Sequence, residues 1–255
     1  MKALVICPTY GRLPYLGRLL ASFLHQDYDD KHLVIINDDK NITLECDYDN
    51  VTVMNLTKKI SVGEKRNLGA AYGHFDVIHP WDDDDIFLPN RLSNHMKQYA
   101  DPSVEAYRNF SSYTIYADKF ASCNGGTNNK SYRKKMFFDV GGYGSINNFQ
   151  EDAVLHHKLR NFKKDENENE RDFVYGFSTS NFHLSCQPTE LQIQNIAYKQ
   201  LIELNLLNKK FNITPDYDGY NKYIQLDEIF KQRGESIEIE VLPNGDIKIL
   251  NVNND

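Results

Sequence analysis

Four consecutive aspartates, Asp82 to Asp85, stand between the apolar runs "VIHPW" and "IFLP". At an effective dielectric near 20, carboxylates about 5 Å apart repel by roughly 3 kcal/mol per pair, and an apolar setting raises that cost. Two readings are open: a solvated acidic loop ahead of a helix near Pro89, with Asp85 capping that helix, or a site for a cation. A calcium loop is excluded, because counting from Asp82 the sixth residue is Phe87 instead of glycine and the twelfth is Ser93. "DYDGYN" (216–221) fails similarly, with Asn221 where the glycine belongs. A divalent ion held by one or two carboxylates, with water and phosphate oxygens completing its shell, fits the run; Mg²⁺ or Mn²⁺ meets a nucleotide in this way.

A second group, Ser61, Gly63, Lys65 and Arg66, opens a helical segment. Its first N–H groups and two cations suit a diphosphate, and they equally suit an ordinary basic surface helix. G-x-x-x-x-G-K-[ST] is absent, and no G-x-G-x-x-G follows the first strand, so neither a P-loop nor a dinucleotide fingerprint is present.

The elements that must position these residues alternate along the first hundred positions. "KALVIC" (2–7), "HLVIIN" (32–37), "VTVMNL" (51–56) and "FDVIHPW" (75–81) read as strands, the first two as runs buried on both faces. Leu16, Leu19, Leu20, Phe23 and Leu24 mark one helical face. Ser61 and Glu64 have capping-box spacing. In open α/β sheets ligands bind beyond the carboxyl ends of strands, where Thr9–Arg12, Asp38 with Asp39, and Asp82–Asp85 would converge.

Beyond residue 100 the expected elements are a strand over 111–120, a loop over 122–131, helices over "YRKKMFFDV" (132–140) and 151–161, and a solvated charge run over 163–172. An amphipathic helix (188–209) comes next, and the chain finishes with a strand, a Pro-Asn-Gly turn and a strand. With 40% hydrophobic and 25% charged residues the chain is globular. Its net charge of −7 argues against general affinity for nucleic acid or anionic lipid. Cys7, Cys46, Cys123 and Cys186 lack C-x-x-C spacing and read as reduced thiols. No apolar stretch reaches the 18 or so residues of a transmembrane helix and no signal peptide is evident, so a soluble, cytoplasmic protein is expected.

Three segments taken in order, "CPTYGRLPYLGRLLASFLHQDYDDKHLVIINDD", "KRNLGAAYGHFDVIHPWDDDDIFLPNRL" and "YRKKMFFDVGGYGSINNFQEDAVLHHKL", resemble the inverting GT-A fold glycosyltransferases of family 2. The resemblance implies an α/β fold with a Rossmann-like, mostly parallel sheet over residues 1–186, divided into a nucleotide-sugar half (1–100) and an acceptor half (101–186). Residues 187–255 are expected as a C-terminal helix and β-hairpin extension. It further implies a nucleotide-diphosphate sugar donor, with UDP favoured, a Mn²⁺ or Mg²⁺ cofactor, and a carbohydrate or other hydroxyl acceptor.

Carried over by position, Pro8, Thr9 and Tyr10 cradle base and ribose, Asp38 reads the base, and Arg66 lies near base and diphosphate. Asp82 and Asp83 serve the ribose or a metal-bound water, Asp84 binds the metal, and Asp152 of the "ED" pair, Glu151–Asp152, is the catalytic base. His183 is a candidate further metal ligand and His156 a candidate partner of Asp152. "NDDK" (37–40) departs from the family's Asp-Asp-Gly-Ser, and "HHKLR" after the "ED" pair departs from its acceptor-side pattern. Alternatives are a non-catalytic carbohydrate-binding or scaffolding descendant, a sugar-nucleotide pyrophosphorylase, and transfer to a modified nucleobase, the one case that brings in nucleic acid.

Overall fold

The structure, a computed structural model, describes residues 1–116, 118–124, 129–144, 155, 157–159, 161–165, 170–177, 190–242 and 246–250. β1 (Ala3–Thr9) is buried along its whole length, and β2 (Lys31–Asn37) over its last five residues. Continuous apolar runs become central parallel strands because helices cover both faces. β1 pairs in parallel with β2 on one side and with β5 (Val77–Pro80) on the other, and β2 pairs in parallel with β4 (Val51–Asn55). Between β2 and β4 the chain forms β3 (Ile42–Glu45), which was not expected from its sequence.

α1 (Leu13–Leu24) buries Leu13, Leu16, Leu19, Leu20 and Phe23 against the sheet. α2 (Val62–Ala70) starts with the expected capping box: Ser61 Oγ accepts from Glu64 N and Glu64 Oε2 accepts from Ser61 N. At Gly69 an added Cβ would stand 2.8 Å from Ile36 and 3.0 Å from Ile6, so the missing side chain is what lets α2 lie against the ends of β1 and β2.

β6 (Ile86–Phe87) and α3 (Arg91–Met96) come after the aspartate run. Asp85 does not cap that helix: it is buried ahead of β6, and Asn90 holds the cap position. The expected strand over 111–120 is two strands, β8 (Ser111–Tyr116) and β9 (Lys119–Asn124), preceded by β7 (Ala106–Asn109). β9 and β10 (Lys130–Arg133) also take up both ends of the expected loop over 122–131, and the helix α4 (Lys134–Asp139) starts after Tyr132. Cross-strand pairing overrides turn composition at these ends.

With β11 (Phe162–Asp165) the first sheet has the order β11-β7-β10-β5-β1-β2-β4. The expected helix over 151–161 lies mostly outside the described residues. β12 (Phe173–Phe177) joins a second sheet. α5 (Glu190–Glu203), β13 (Lys209–Asn212), α6 (Tyr217–Arg233), β14 (Ile237–Val241) and β15 (Ile247–Ile249) complete the chain. The C-terminal extension is knit into the rest: β13 pairs with β3, β14 extends the second sheet through β9, and Tyr220, Tyr223, Leu226 and Phe230 of α6 share a core with Ile86, Leu88 and Tyr113. α6 begins in "DYDGYN", the segment rejected as a calcium loop; Asp216 caps it by accepting from Gly219 N at 2.9 Å. No helix among the described residues is long and apolar enough to cross a membrane.

The charge run over 163–172 is not uniformly solvated, since Asp172 is fully buried. It accepts from Asn129 (2.6 Å), Asn94 and Asn109 (both 3.3 Å). Burial pushes its carboxyl up and the nearby Arg91 charge opposes this. The buried His95 lies 3.8 Å from Asp172 and its ring is 5.9 Å from that of His79. Burial, reinforced by the Arg91 charge, holds both imidazoles well below the ordinary histidine value.

Because the unfolded chain takes up these protons near pH 6.5, each buried neutral histidine stabilises the fold above that pH. The contribution is lost at roughly 1.4 kcal/mol per pH unit as pH falls below it. Asp172, a raised carboxyl, acts in the opposite sense, so the informative quantity is a difference between proteins. His95→Gln should lose less stability than the parent between pH 7 and 5, measured by urea unfolding; equal losses would exclude His95 as a source of acid sensitivity.

Candidate active site

β1, β2 and β5 run parallel and end on one edge at Thr9, Asn37 and Pro80. The three polar clusters therefore meet there. Trp81 and Phe87 stack with ring centroids 3.9 Å apart and planes 7° from parallel, and Phe23 meets Trp81 edge-on at 6.4 Å. Asp82–Asp85 form a short loop whose two ends are held together by this buried pair, so burial of the aromatics places the acids at the edge of the core.

The like charges of that loop are compensated by the protein itself. Thr9 Oγ1 donates to Asp83 Oδ2 at 2.6 Å. Arg12 spans two acids, with one terminal nitrogen 3.0 Å from Asp83 Oδ1 and the other donating to Asp84 Oδ2 at 2.6 Å. Arg66 donates to Asp82 Oδ1 at 2.7 Å. Burial pushes the Asp83 carboxyl up to about 6; Arg12 opposes this and Asp84 adds to it. Burial would lower Arg12, but the charges of Asp83 and Asp84 outweigh it and leave the guanidinium more firmly protonated than usual.

Asp38 is bound from two sides. Lys65 Nζ donates to its Oδ1 at 2.7 Å and to the carbonyl of Thr9 at 3.0 Å, and Ile60 N donates to its Oδ2 at 3.0 Å. Lys65 is itself buried, and desolvation outweighs the attraction of Asp38, so its pKa lies below the usual lysine value. The neighbouring Asp39 uses Oδ1 for Asn41, while its buried Oδ2 has no hydrogen-bond partner among the described residues. Gly11 faces that oxygen; a Cβ there would stand 2.8 Å from it, and its φ of +59° is one that L side chains rarely adopt. Pro8 belongs to β1, and Tyr10 carries Lys59 Nζ 4.7 Å above its ring.

α2 also reaches the segment after α4. Asn67 and Tyr143 exchange two hydrogen bonds of 2.9 Å, and the Arg66 guanidinium lies 5.2 Å from the Tyr143 ring. This clamp holds the chain as it enters "GGYG". Asp152, Glu151, His156 and His183 lie outside the described residues. Of the other expected residues, Thr9, Asp83 and Asp84 are joined through Arg12 and the Thr9 hydroxyl, Asp82 and Arg66 pair beside them, and Asp38 is linked to Thr9 through Lys65 and the Thr9 carbonyl. Arg12 was placed at this edge only as the end of the Thr9–Arg12 cluster, with no role of its own, and Asn67 was not singled out from sequence. The adjacency of Arg12 to the first-strand loop was a signal for the former, whereas the partner of Asn67 is 76 positions away.

Among the described residues no three His, Cys, Asp or Glu side chains cluster as a metal site. The donors still fit a hard divalent ion. Asp82 and Asp84 offer carboxylate oxygen, with side chains 25% and 10% exposed against 2% for Asp83. One or two such ligands suffice where a substrate diphosphate completes the shell.

The mixed sheet with carboxylates at its carboxyl edge has the architecture of a GT-A nucleotide-sugar transferase. It superposes on S. aureus TarS 1-349, solved with UDP-GlcNAc (TM-score 0.55, 15% identity, 70% of this chain and 59% of that one). It also superposes on the mannosyltransferase PcManGT of Pyrobaculum calidifontis, solved with GDP-Man and Mn²⁺ (TM-score 0.53, 12% identity, 78% of this chain and 68% of that one). Residues 4–163 match the glycosyl transferase family 2 model, and the chain belongs to that family. A 102-residue stretch is 30% identical to the uncharacterized glycosyltransferase YwdF of Bacillus subtilis (strain 168), covering 38% of each chain. The matches thus span 38% of that relative and 59% of TarS 1-349.

Removing one member of a buried ion pair leaves an uncompensated charge, a loss of about 3–5 kcal/mol. Lys65→Met should destabilise the chain by that order in chemical denaturation, and adding Asp38→Asn should recover most of it. Additive losses in the double variant would show that the pair is not coupled.

Proposed function

We propose that this chain is a metal-dependent, inverting glycosyltransferase that moves a sugar from a nucleotide-diphosphate donor, UDP-linked by preference, to a hydroxyl on a glycan. The observation that carries the reading is the convergence of Asp38, Lys65, Arg66 and Asp82–Asp84 on the carboxyl edge of a family 2 fold. Donors of this chemical class bound to TarS and PcManGT support it, as does the Mn²⁺ of the latter.

The base-reading carboxylate belongs to the Asp38–Asp39 pair. Asp38 is anchored by Lys65, and Asp39 Oδ2 supplies a buried acceptor for an imino N–H. Asp84, with Asp82, would hold the divalent ion. When bound, that ion supplies positive charge against the diphosphate oxygens. Arg66 and Lys65 add fixed cations for the same developing charge. Asp152 accepts the proton of the acceptor hydroxyl as its oxygen bonds to the anomeric carbon. The bond from that carbon to the diphosphate oxygen breaks on the opposite face, the electron pair leaves with the nucleotide diphosphate, and the configuration inverts.

Incubation with Mn²⁺ and a panel of nucleotide sugars, read by mass spectrometry and thermal shift, should give a UDP-sugar response that a chelator abolishes. No response to any donor would support a non-catalytic descendant. For the chemical step, Asp152→Asn should keep donor binding and lose at least a hundredfold in transfer rate; undiminished transfer would remove it as the base.

A further inference from the structure

Arg12 occupies the cap position ahead of α1, yet its side chain makes no capping bond. It reaches instead 71 and 72 positions along the chain to Asp83 and Asp84, where it is more than four-fifths buried. Its guanidinium also lies 4.9 Å from the Tyr15 ring, which gives the cation a second face to rest on. The Oδ2 of Asp84 that accepts from Arg12 at 2.6 Å belongs to the carboxylate assigned to the metal. A divalent ion on the same carboxylate would stand beside that guanidinium, cation against cation. A divalent ion within coordination distance would face a guanidinium carbon only a few ångströms away, in a setting where burial strengthens every repulsion.

We propose that Arg12 is the resident cation of the aspartate loop, holding Asp83 and Asp84 in the donor-free protein, and that metal and donor enter together by displacing it from Asp84. This inference rests on the transferase reading. Without Arg12 the loop would lose the cation that spans Asp83 and Asp84, with Arg66 paired to Asp82. With it, a divalent ion alone must break an ion pair that is only slightly open to water. The diphosphate changes the balance, because it brings anionic oxygens for the ion's shell and a new partner for the displaced guanidinium. Arg12 is thereby a positioning residue that couples metal binding to nucleotide binding. Gly11, immediately before it and already in a left-handed conformation, supplies backbone freedom for the exchange.

The test is Mn²⁺ affinity in the presence and absence of UDP, measured by electron paramagnetic resonance of free Mn²⁺. The parent should bind Mn²⁺ weakly alone and at least tenfold more tightly with UDP. Arg12→Gln should bind Mn²⁺ alone at least tenfold more tightly than the parent, with a reduced gain on adding UDP and a lower melting temperature when free of ligand. Arg12→Lys, which keeps one charge but cannot span two carboxylates, should fall between them and serves as the variant of record if Arg12→Gln does not fold. A purely structural arginine would leave Mn²⁺ affinity unchanged or weaken it, and either result in a folded variant overturns the proposal while the UDP-dependent gain of the parent keeps the transferase reading. No gain with UDP in the parent and none in the variants overturns both.

Discussion

The carboxyl edge of the central sheet depends on charge compensation within a single loop. Asp82, Asp83 and Asp84 stand where the stacked Trp81 and Phe87 are fully buried, so the acids cannot all rely on water. Arg12 and Arg66 approach from the starts of α1 and α2, and Thr9 from the end of β1. Each of these groups stands at the end of a strand, at a helix cap or in the first turns of a helix. Packing of those strands and helices consequently also brings the cations to the acids. A chain lacking either arginine would lose positive charge beside the acids, at the place where its largest aromatic side chain is packed.

A second buried polar system ties the rest of the molecule together. Asp172 ahead of β12 gathers Asn94 from α3, Asn109 from the end of β7 and Asn129 ahead of β10, with His95 and Arg91 close by. Among the described residues it shares no strand with the edge that carries the aspartate loop. Its fully buried charge is held by several hydrogen bonds instead of one close ion pair, an arrangement that satisfies a carboxylate without bringing in water. The C-terminal helix α6 then closes the second core, donating from Tyr220 to the carbonyl of Phe87 at 2.9 Å and accepting through Asp227 from Tyr113 at 2.7 Å. The aspartate loop is thus braced from beneath by residues more than 130 positions away in the chain.

Much of the fold and the makeup of the site were legible in the sequence. Continuous apolar runs marked β1 and β2, the Leu-Phe stripe marked the buried face of α1, and Ser61 with Glu64 marked the start of α2, because these signals act over a few residues and burial reinforces them. The alternation placed the polar clusters on one edge before any contact was known. Misreadings occurred where composition is a weaker force than pairing: "SCNGGTNNKS" looked like a loop but lends both its ends to strands, and Asp172 looked solvated at the end of a charge run but is fully buried. "DYDGYN", rejected as a calcium loop from its spacing, is the first turn of a helix that Asp216 caps.

Residue type and local spacing by themselves therefore determined the alternating α/β fold and the acids and cations gathered at one sheet edge, and the order of three motifs carried the resemblance to the family. Which acid faces which cation was decided only by tertiary structure. Arg12 meets Asp83 and Asp84, Lys65 meets Asp38, and Asn67 meets Tyr143 across separations of 27 to 76 residues. The direction of a long flexible side chain depends on what the assembled strands and helices leave open, and spacing along the chain carries no record of that.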